Sequence, residues 1–216
     1  MYKYLLFDLD GTLVDTSEGI INSAKYSLAK CGITENDSNR LKQFIGPPLK
    51  ETFATVYSME NELAVYATNE FRNFYNKKGK YQCRLYTGIS NMLFQLNKLK
   101  YTLIVATSKP TVFSIDILTH LEINHFFDSI VGSNLDNTRS KKAEIIDTIL
   151  RKYKITNKSN TVMIGDKSQD LLGAEACGIS GIAVSYGFGS VEELVSVQSE
   201  KIVHSPEELL EYLENS

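Results

Sequence analysis

The 216-residue chain has no run of about 18 apolar residues, the length a membrane-spanning helix needs, so no membrane partner is expected. It has only three cysteines, Cys31, Cys83 and Cys177, widely spaced and with no CxxC pair. An odd, scattered set excludes a disulfide framework and a zinc cluster and points to a reducing cytoplasm. It also lacks a basic excess. Its 23 Lys and Arg against 26 Asp and Glu leave a net charge of −3, a poor balance for binding a nucleic-acid polymer. No GxxxxGK[ST] run occurs, which excludes a P-loop, and Gly187-Phe188-Gly189 lacks the third glycine of a dinucleotide site. His120, His125 and His204 follow no ligand spacing and read as structural. Asp8 interrupts the first apolar stretch too early for a signal peptide. There is no internal repeat and no low-complexity tract.

What is present is an ordinary globular composition, 43% apolar and 23% charged. The length corresponds to about 1.4 domains, meaning one domain with a large insert or two small ones. Tyr2 to Phe7 is a short apolar run ending in an Asp-x-Asp-Gly turn, the pattern of a buried strand. From residue 16 to about 80 the pattern is helical throughout. Ile21, Ala24, Leu28 and Cys31 share one helix face before Gly32, Pro48 can open a second helix, and Leu63, Ala67, Phe71 and Phe74 mark a third. Lys77, Lys78, Lys80 and Arg84 read as a solvated hinge face rather than an anion patch. Beyond them, strands at Tyr101–Ala106, Ser129–Val131, Thr161–Ile164 and Gly181–Val184 alternate with helices, which implies βαβ units and a mainly parallel sheet. The expected fold is therefore α/β: a mainly parallel sheet core from residues 1–15 and 81–216, with an inserted all-α cap at 16–80.

In such sheets ligands bind beyond the carboxyl ends of the strands. Asp8 and Asp10 end the first strand, Thr107 and Ser108 the Tyr101 strand, and Asp166, followed by Asp170, the Thr161 strand. Carboxylates gathered at one edge repel one another, and a divalent cation removes that penalty. Oxygen donors without Cys or His favour a hard ion such as Mg²⁺. The neighbouring hydroxyls, a lysine at Lys141 or Lys142 and a helix N-terminus with Pro110 at its first position suit an oxyanion, most simply a phosphoryl group. Asp8 can attack phosphorus; Asp10 can protonate the leaving oxygen and later activate water. Lys109 reads as a structural or peripheral charge.

These residues carry a resemblance. Phe7-Asp8-Leu9-Asp10-Gly11-Thr12-Leu13-Val14-Asp15-Thr16 resembles the first motif of the haloacid dehalogenase-like hydrolases, DxDGTxxDT. Ala106-Thr107-Ser108, Lys142 in Ser140-Lys141-Lys142-Ala143, and Gly165-Asp166-Lys167-Ser168-Gln169-Asp170 are similar to its second, third and fourth motifs, in the family's order. Lys141 remains an alternative register for the third. The resemblance implies a Rossmann-like, doubly wound parallel core with an inserted helical cap, and Mg²⁺-dependent hydrolysis of a small-molecule phosphate through a phospho-aspartate. Asp8 would be nucleophile and Asp10 general acid/base. Leu9, Gly11, Thr107, Ser108 and Lys142 would hold the phosphoryl group, and Asp8, Asp10 (through its carbonyl), Asp166 and Asp170 the metal. Thr16 would either cap the first cap helix or touch substrate, and Lys50, in the Ile45–Lys50 cap loop, would face it.

The stretch from Asp166 to Ser190 is similar to the phosphoglycolate phosphatase, pyrophosphatase PpaX and 5′-nucleotidase subgroup, which makes phosphoglycolate or a nucleotide the expected substrate. A phosphomutase or an inorganic pyrophosphatase is the alternative. Outside enzymes, a receiver-like phosphoacceptor module would use a similar residue set, but at roughly half this length and with its acceptor Asp after the third strand. Monomer and homodimer are both open.

Overall fold

The computed structural model describes residues 2–135 and 138–215. The chain divides into two compact units, Met1–Asp15 with Arg84–Ser216, and Thr16–Cys83.

The first unit is a parallel six-stranded sheet. In chain order its elements are β1 (Tyr4–Phe7), β2 (Val14–Asp15), β3 (Arg84–Leu85), α5 (Ile89–Lys98), β4 (Thr102–Pro110), α6 (Thr111–His120), β5 (Ser129–Ser133), α7 (Lys142–Lys152), β6 (Thr161–Gly165), α8 (Ser168–Cys177), β7 (Ser180–Val184), α9 (Val191–Val195), β8 (Lys201–Val203) and α10 (Pro206–Glu214). The strand order β5-β4-β1-β6-β7-β8 puts β1 between β4 and β6, and the chain reverses its winding there, the position at which open α/β sheets bind ligands. Residues 5–7 of β1, 103–106 of β4 and 162–165 of β6 are apolar runs buried on both faces, as a covered parallel sheet requires. Leu6, Ile104 and Met163 pack with Ile145, Ile146 and Ile149 of α7 and Ala174 of α8. Fully burying each such side chain contributes about 1.5–3 kcal/mol. The short β2 and β3 pair antiparallel, Asp15 opposite Arg84, at the two crossings into the other unit.

The second unit holds α1 (Ser17–Lys30), α2 (Ser38–Lys42), α3 (Leu49–Tyr57) and α4 (Asn61–Lys77), with a short 3₁₀ turn at Gly79–Tyr81. Ala24, Leu28, Phe44, Phe53 and Phe71 form its core, with the Phe44 and Phe53 ring centroids 4.7 Å apart.

Several boundaries differ from those read in the sequence. The helical unit runs to Cys83 rather than 80, because the Gly79–Tyr81 turn packs on α1, where Gly19 N–H donates to Gln82 O at 3.0 Å. Lys80 is not part of a solvated face: it is buried, and its Nζ donates to Asn76 Oδ1 at 3.1 Å. Pro110 precedes α6 instead of opening it, since β4 continues through it. α2, α9, β8 and α10 have no counterpart in the sequence reading; the first three are only five, five and three residues long. Among the described residues no helix is long and apolar enough to cross a membrane, and Cys31, Cys83 and Cys177 are free thiols.

Candidate active site

The site forms where β1, β4 and β6 end side by side. Asp8 leaves β1 with its N–H donating to Ile164 O of β6 at 2.9 Å. The chain then folds tightly back: Leu9 O accepts from Leu13 N and Val14 N, both at 3.0 Å, and Gly11 N donates to Val14 O. Gly11 sits at φ +83, and a Cβ there would lie 2.1 Å from Asp166 Oδ2. A side chain at this position would meet both backbone strain and a clash, so glycine is required.

Lys142, the first residue of α7, is buried and makes three contacts. Its Nζ lies 2.8 Å from Asp8 Oδ1, 2.8 Å from Ala106 O and 2.7 Å from Asp170 Oδ1. Lys141, one residue earlier, is exposed, so the structure brings Lys142 and not Lys141 to Asp8. The approach depends on Gly173 of α8, where a Cβ would come within 2.8 Å of the Lys142 side chain.

Asp166 follows β6 and is completely enclosed. Its Oδ1 accepts from Thr12 Oγ1 at 3.2 Å, and its Oδ2 from Phe188 N at 2.8 Å and Gly189 N at 3.3 Å. Asp170, in the first turn of α8, accepts from Lys167 N at 3.1 Å, as a capping acid does. Ligand atoms of Asp8, Asp166 and Asp170 all lie within 4.8 Å of one another.

Three buried carboxylates thus crowd together while one ammonium contacts two of them, and the electrostatics reflect the surplus. Burial, then the neighbouring charges of Asp8 and Asp170, push the Asp166 carboxyl up to about 7. Asp170 is likewise raised, by burial first, against the downward pull of Lys142. Burial alone would lower the Lys142 ammonium, but Asp170 and Asp8 more than reverse this and keep it charged. Uncompensated charge of this kind is costly, and an oxygen-only donor set of these dimensions could hold a hard divalent cation.

Asp10 points elsewhere. Its carboxylate is not in the three-acid cluster; its Oδ2 is 2.9 Å from Lys109 Nζ. Of the two roles the sequence left to Lys109, structural or peripheral, the second falls away, because its side chain is only 9% exposed. Thr107 is buried and its Oγ1 accepts from Lys109 N at 3.2 Å, whereas Ser108 is exposed. Leu9 is buried with its carbonyl engaged in the turn. Thr16 and Lys50 belong to the helical unit. Thr16 precedes α1 but makes no side-chain cap bond, and its buried Oγ1 has no hydrogen-bond partner. Lys50 is exposed on α3.

The sequence reading missed Thr12, Lys109 and the Phe188–Gly189 amides. Thr12 lay inside the quoted motif. The amides come from a loop whose glycines hinted at close backbone approach: a Cβ on Gly189 would lie 1.8 Å from Asp166 O.

Known proteins are similar to this chain in sequence and fold. The family profile described as haloacid dehalogenase-like hydrolase matches residues 5–184. A 5′-nucleotidase of Pseudomonas aeruginosa is 44% identical over 193 residues, 89% of this chain and 87% of that one. Tyrosine-protein kinase PtkA of Mycobacterium tuberculosis is 31% identical over 94% of this chain and 69% of its own. The structure of a haloacid dehalogenase-like family hydrolase from Streptococcus pneumoniae superposes with a TM-score of 0.90 at 35% identity, covering 98% of each chain. With the family profile spanning most of its length and the sheet, motif order and buried acids all in place, the chain belongs to the haloacid dehalogenase-like hydrolases.

Proposed function

We propose that this hydrolase is a Mg²⁺-dependent phosphatase of small-molecule phosphate monoesters, with a nucleoside monophosphate the favoured substrate and phosphoglycolate the alternative. The observation that carries the reading is the Lys142 bridge between Asp8 and Asp170 beside the buried Asp166. Nothing in the packing of a stable sheet calls for three buried acids. A site that holds a divalent cation beside a phosphoryl group does. The nucleotide preference rests on the 44% identity to the 5′-nucleotidase.

In this reading Asp8 Oδ attacks phosphorus in line, the ester P–O bond breaks, and Asp10 gives a proton to the leaving oxygen. Water then attacks phosphorylated Asp8, Asp10 takes the water's proton, and inorganic phosphate leaves with Asp8 restored. Lys142, Thr107, Ser108 and the backbone at Leu9 and Gly11 hold the phosphoryl oxygens. Mg²⁺ would be held by Asp8, Asp166, Asp170 and the Asp10 carbonyl, and when bound it neutralises charge on nucleophile and phosphoryl group. The helical unit, with Thr16 and Lys50, would act as a cap selecting the leaving group.

The test is phosphate release from a panel of metabolites with Mg²⁺ and with a chelator. We expect release from nucleoside monophosphates that stops with the chelator. Equal release in both arms contradicts the metal, and release from phosphoglycolate alone contradicts the nucleotide. The similarity to PtkA supports a second reading, phosphoryl transfer to a tyrosine hydroxyl. Phosphotyrosine formed from a nucleoside triphosphate in the same panel would favour it.

A further inference from the structure

The pairing of Lys109 with Asp10 is not explained by the first, third or fourth motif. Lys109 lies on the last turnings of β4, where the β4–β5 register is interrupted between Ala106 and Pro110. That irregularity, together with the bond from Lys109 N to Thr107 Oγ1, points the lysine along the site to Asp10 Oδ2 at 2.9 Å. The other oxygen, Asp10 Oδ1, is buried and has no hydrogen-bond partner. Buried acceptors are nearly always satisfied, so an orphan invites a functional explanation. Here one oxygen is anchored and the other is left to receive a proton.

We propose that Lys109 is a positioning residue for the hydrolytic half of the reaction: by fixing Oδ2 it holds the Asp10 carboxylate so that Oδ1 accepts the proton of the attacking water. This rests on the phosphatase reading above. The step balances. Water oxygen bonds to phosphorus as the bond from phosphorus to the Asp8 oxygen breaks, one water proton passes to Asp10 Oδ1, and inorganic phosphate departs. The carboxylate that Lys109 anchors is the form Asp10 has after giving its first proton to the leaving group. The ion pair therefore has its use between the two transfers, and a freely rotating carboxylate would lose the alignment that proton transfer requires.

The substrate p-nitrophenyl phosphate separates this role from others, because its leaving group departs without a proton donor. For this ester kcat/KM reports steps up to nitrophenolate release, and kcat senses hydrolysis of the phosphorylated enzyme. For Lys109→Met we expect kcat to fall about tenfold or more, a fraction of the usual gain from general base catalysis. KM should fall in parallel, so that kcat/KM stays within about threefold, and rapid quenching should show a burst of nitrophenolate approaching one per enzyme. In the Asp10→Asn background the same substitution should change kcat by less than about threefold, since the residue it positions is gone. Lys109→Arg, which keeps the cation, covers the case in which the methionine variant does not fold, and should show the same split in smaller measure. If kcat/KM falls as far as kcat, Lys109 binds the phosphoryl group or merely supports the fold, and the assignment is overturned. It is equally overturned if kcat is unchanged. A wild-type protein inert toward every phosphate ester would instead remove the phosphatase reading itself.

Discussion

The two units bury different things. In Thr16–Cys83 the enclosed polar groups are hydroxyls and one lysine. Ser23, Ser27 and Thr68 each donate to a helix carbonyl, and Lys80 to Asn76. The rest of that core is aliphatic and aromatic carbon. The sheet unit has an equally dry centre, but at the ends of β1 and β6 it encloses Asp8, Asp166 and Asp170, the buried acids among the described residues. Ser23, Ser27, Thr68 and Lys80 each meet a nearby acceptor of the chain. The three acids create a need instead, because one lysine cannot neutralise them. Crowded buried carboxylates that burial itself penalises are the mark of chemistry rather than of stability, and among the described residues they fall in the sheet unit.

The contrast can be broken by substitution, and the largest effect should come from Lys142→Met. Removing the cation leaves Asp8 and Asp170 buried without it. We expect a loss of about 3–5 kcal/mol in stability, as for other severed buried pairs, together with loss of turnover. Denaturant unfolding and phosphate release read the two losses. Phe53→Ala in the helical core should cost a similar or slightly smaller amount, about 3–5 kcal/mol, from lost burial and the cavity left behind. Hydrolysis of an aryl phosphate per folded molecule should survive it. If instead the Phe53 variant keeps its stability but loses that activity, the division of labour between the units is wrong.

A smaller effect should follow pH. The Asp166 carboxyl is raised in the folded protein above the value it has unfolded, to about 7. The native state therefore holds a proton that the unfolded chain has released between about pH 4 and 7. For this group, stability is greatest at the acid end of that window and declines as pH rises through it. Denaturant titrations of the metal-free protein should show lower stability at pH 7.5 than at pH 5.5, and Mg²⁺ should restore more at the higher pH. A metal-free protein that gains stability across this window would contradict the surplus of negative charge. The smallest effect should be Ser108→Ala. This hydroxyl is exposed, and its loss should change phosphate release by less than about tenfold, within the range of a single modest hydrogen bond.

The sequence reading singled out Asp8 and Asp166 because each follows an apolar run, and a parallel sheet gathers such ends; Asp170 was singled out by its place four residues after Asp166. Lys142 was narrowed to one of two adjacent lysines; only the helical phase of α7, set by its packing on α8 at Gly173, separates them. The pairing of Lys109 with Asp10 was not legible because Thr-Ser-Lys-Pro carries no local signal of the irregular β4–β5 register. The amides of Phe188 and Gly189 were hidden for a related reason, since backbone donors have no side-chain signature. β8 and α9 were overlooked because elements of three and five residues show too little periodicity to detect.

The central claim is that phosphoryl transfer passes through Asp8, and the most direct measurement is to find the phosphoryl group there. The protein is mixed with a turned-over phosphate ester and Mg²⁺, quenched in acid, and mapped by peptide mass spectrometry, with Asp8→Asn alongside. The account predicts a single phosphorylated peptide containing Asp8, absent in the variant, whose phosphate release falls to background. Phosphate release by Asp8→Asn at the wild-type rate would contradict it.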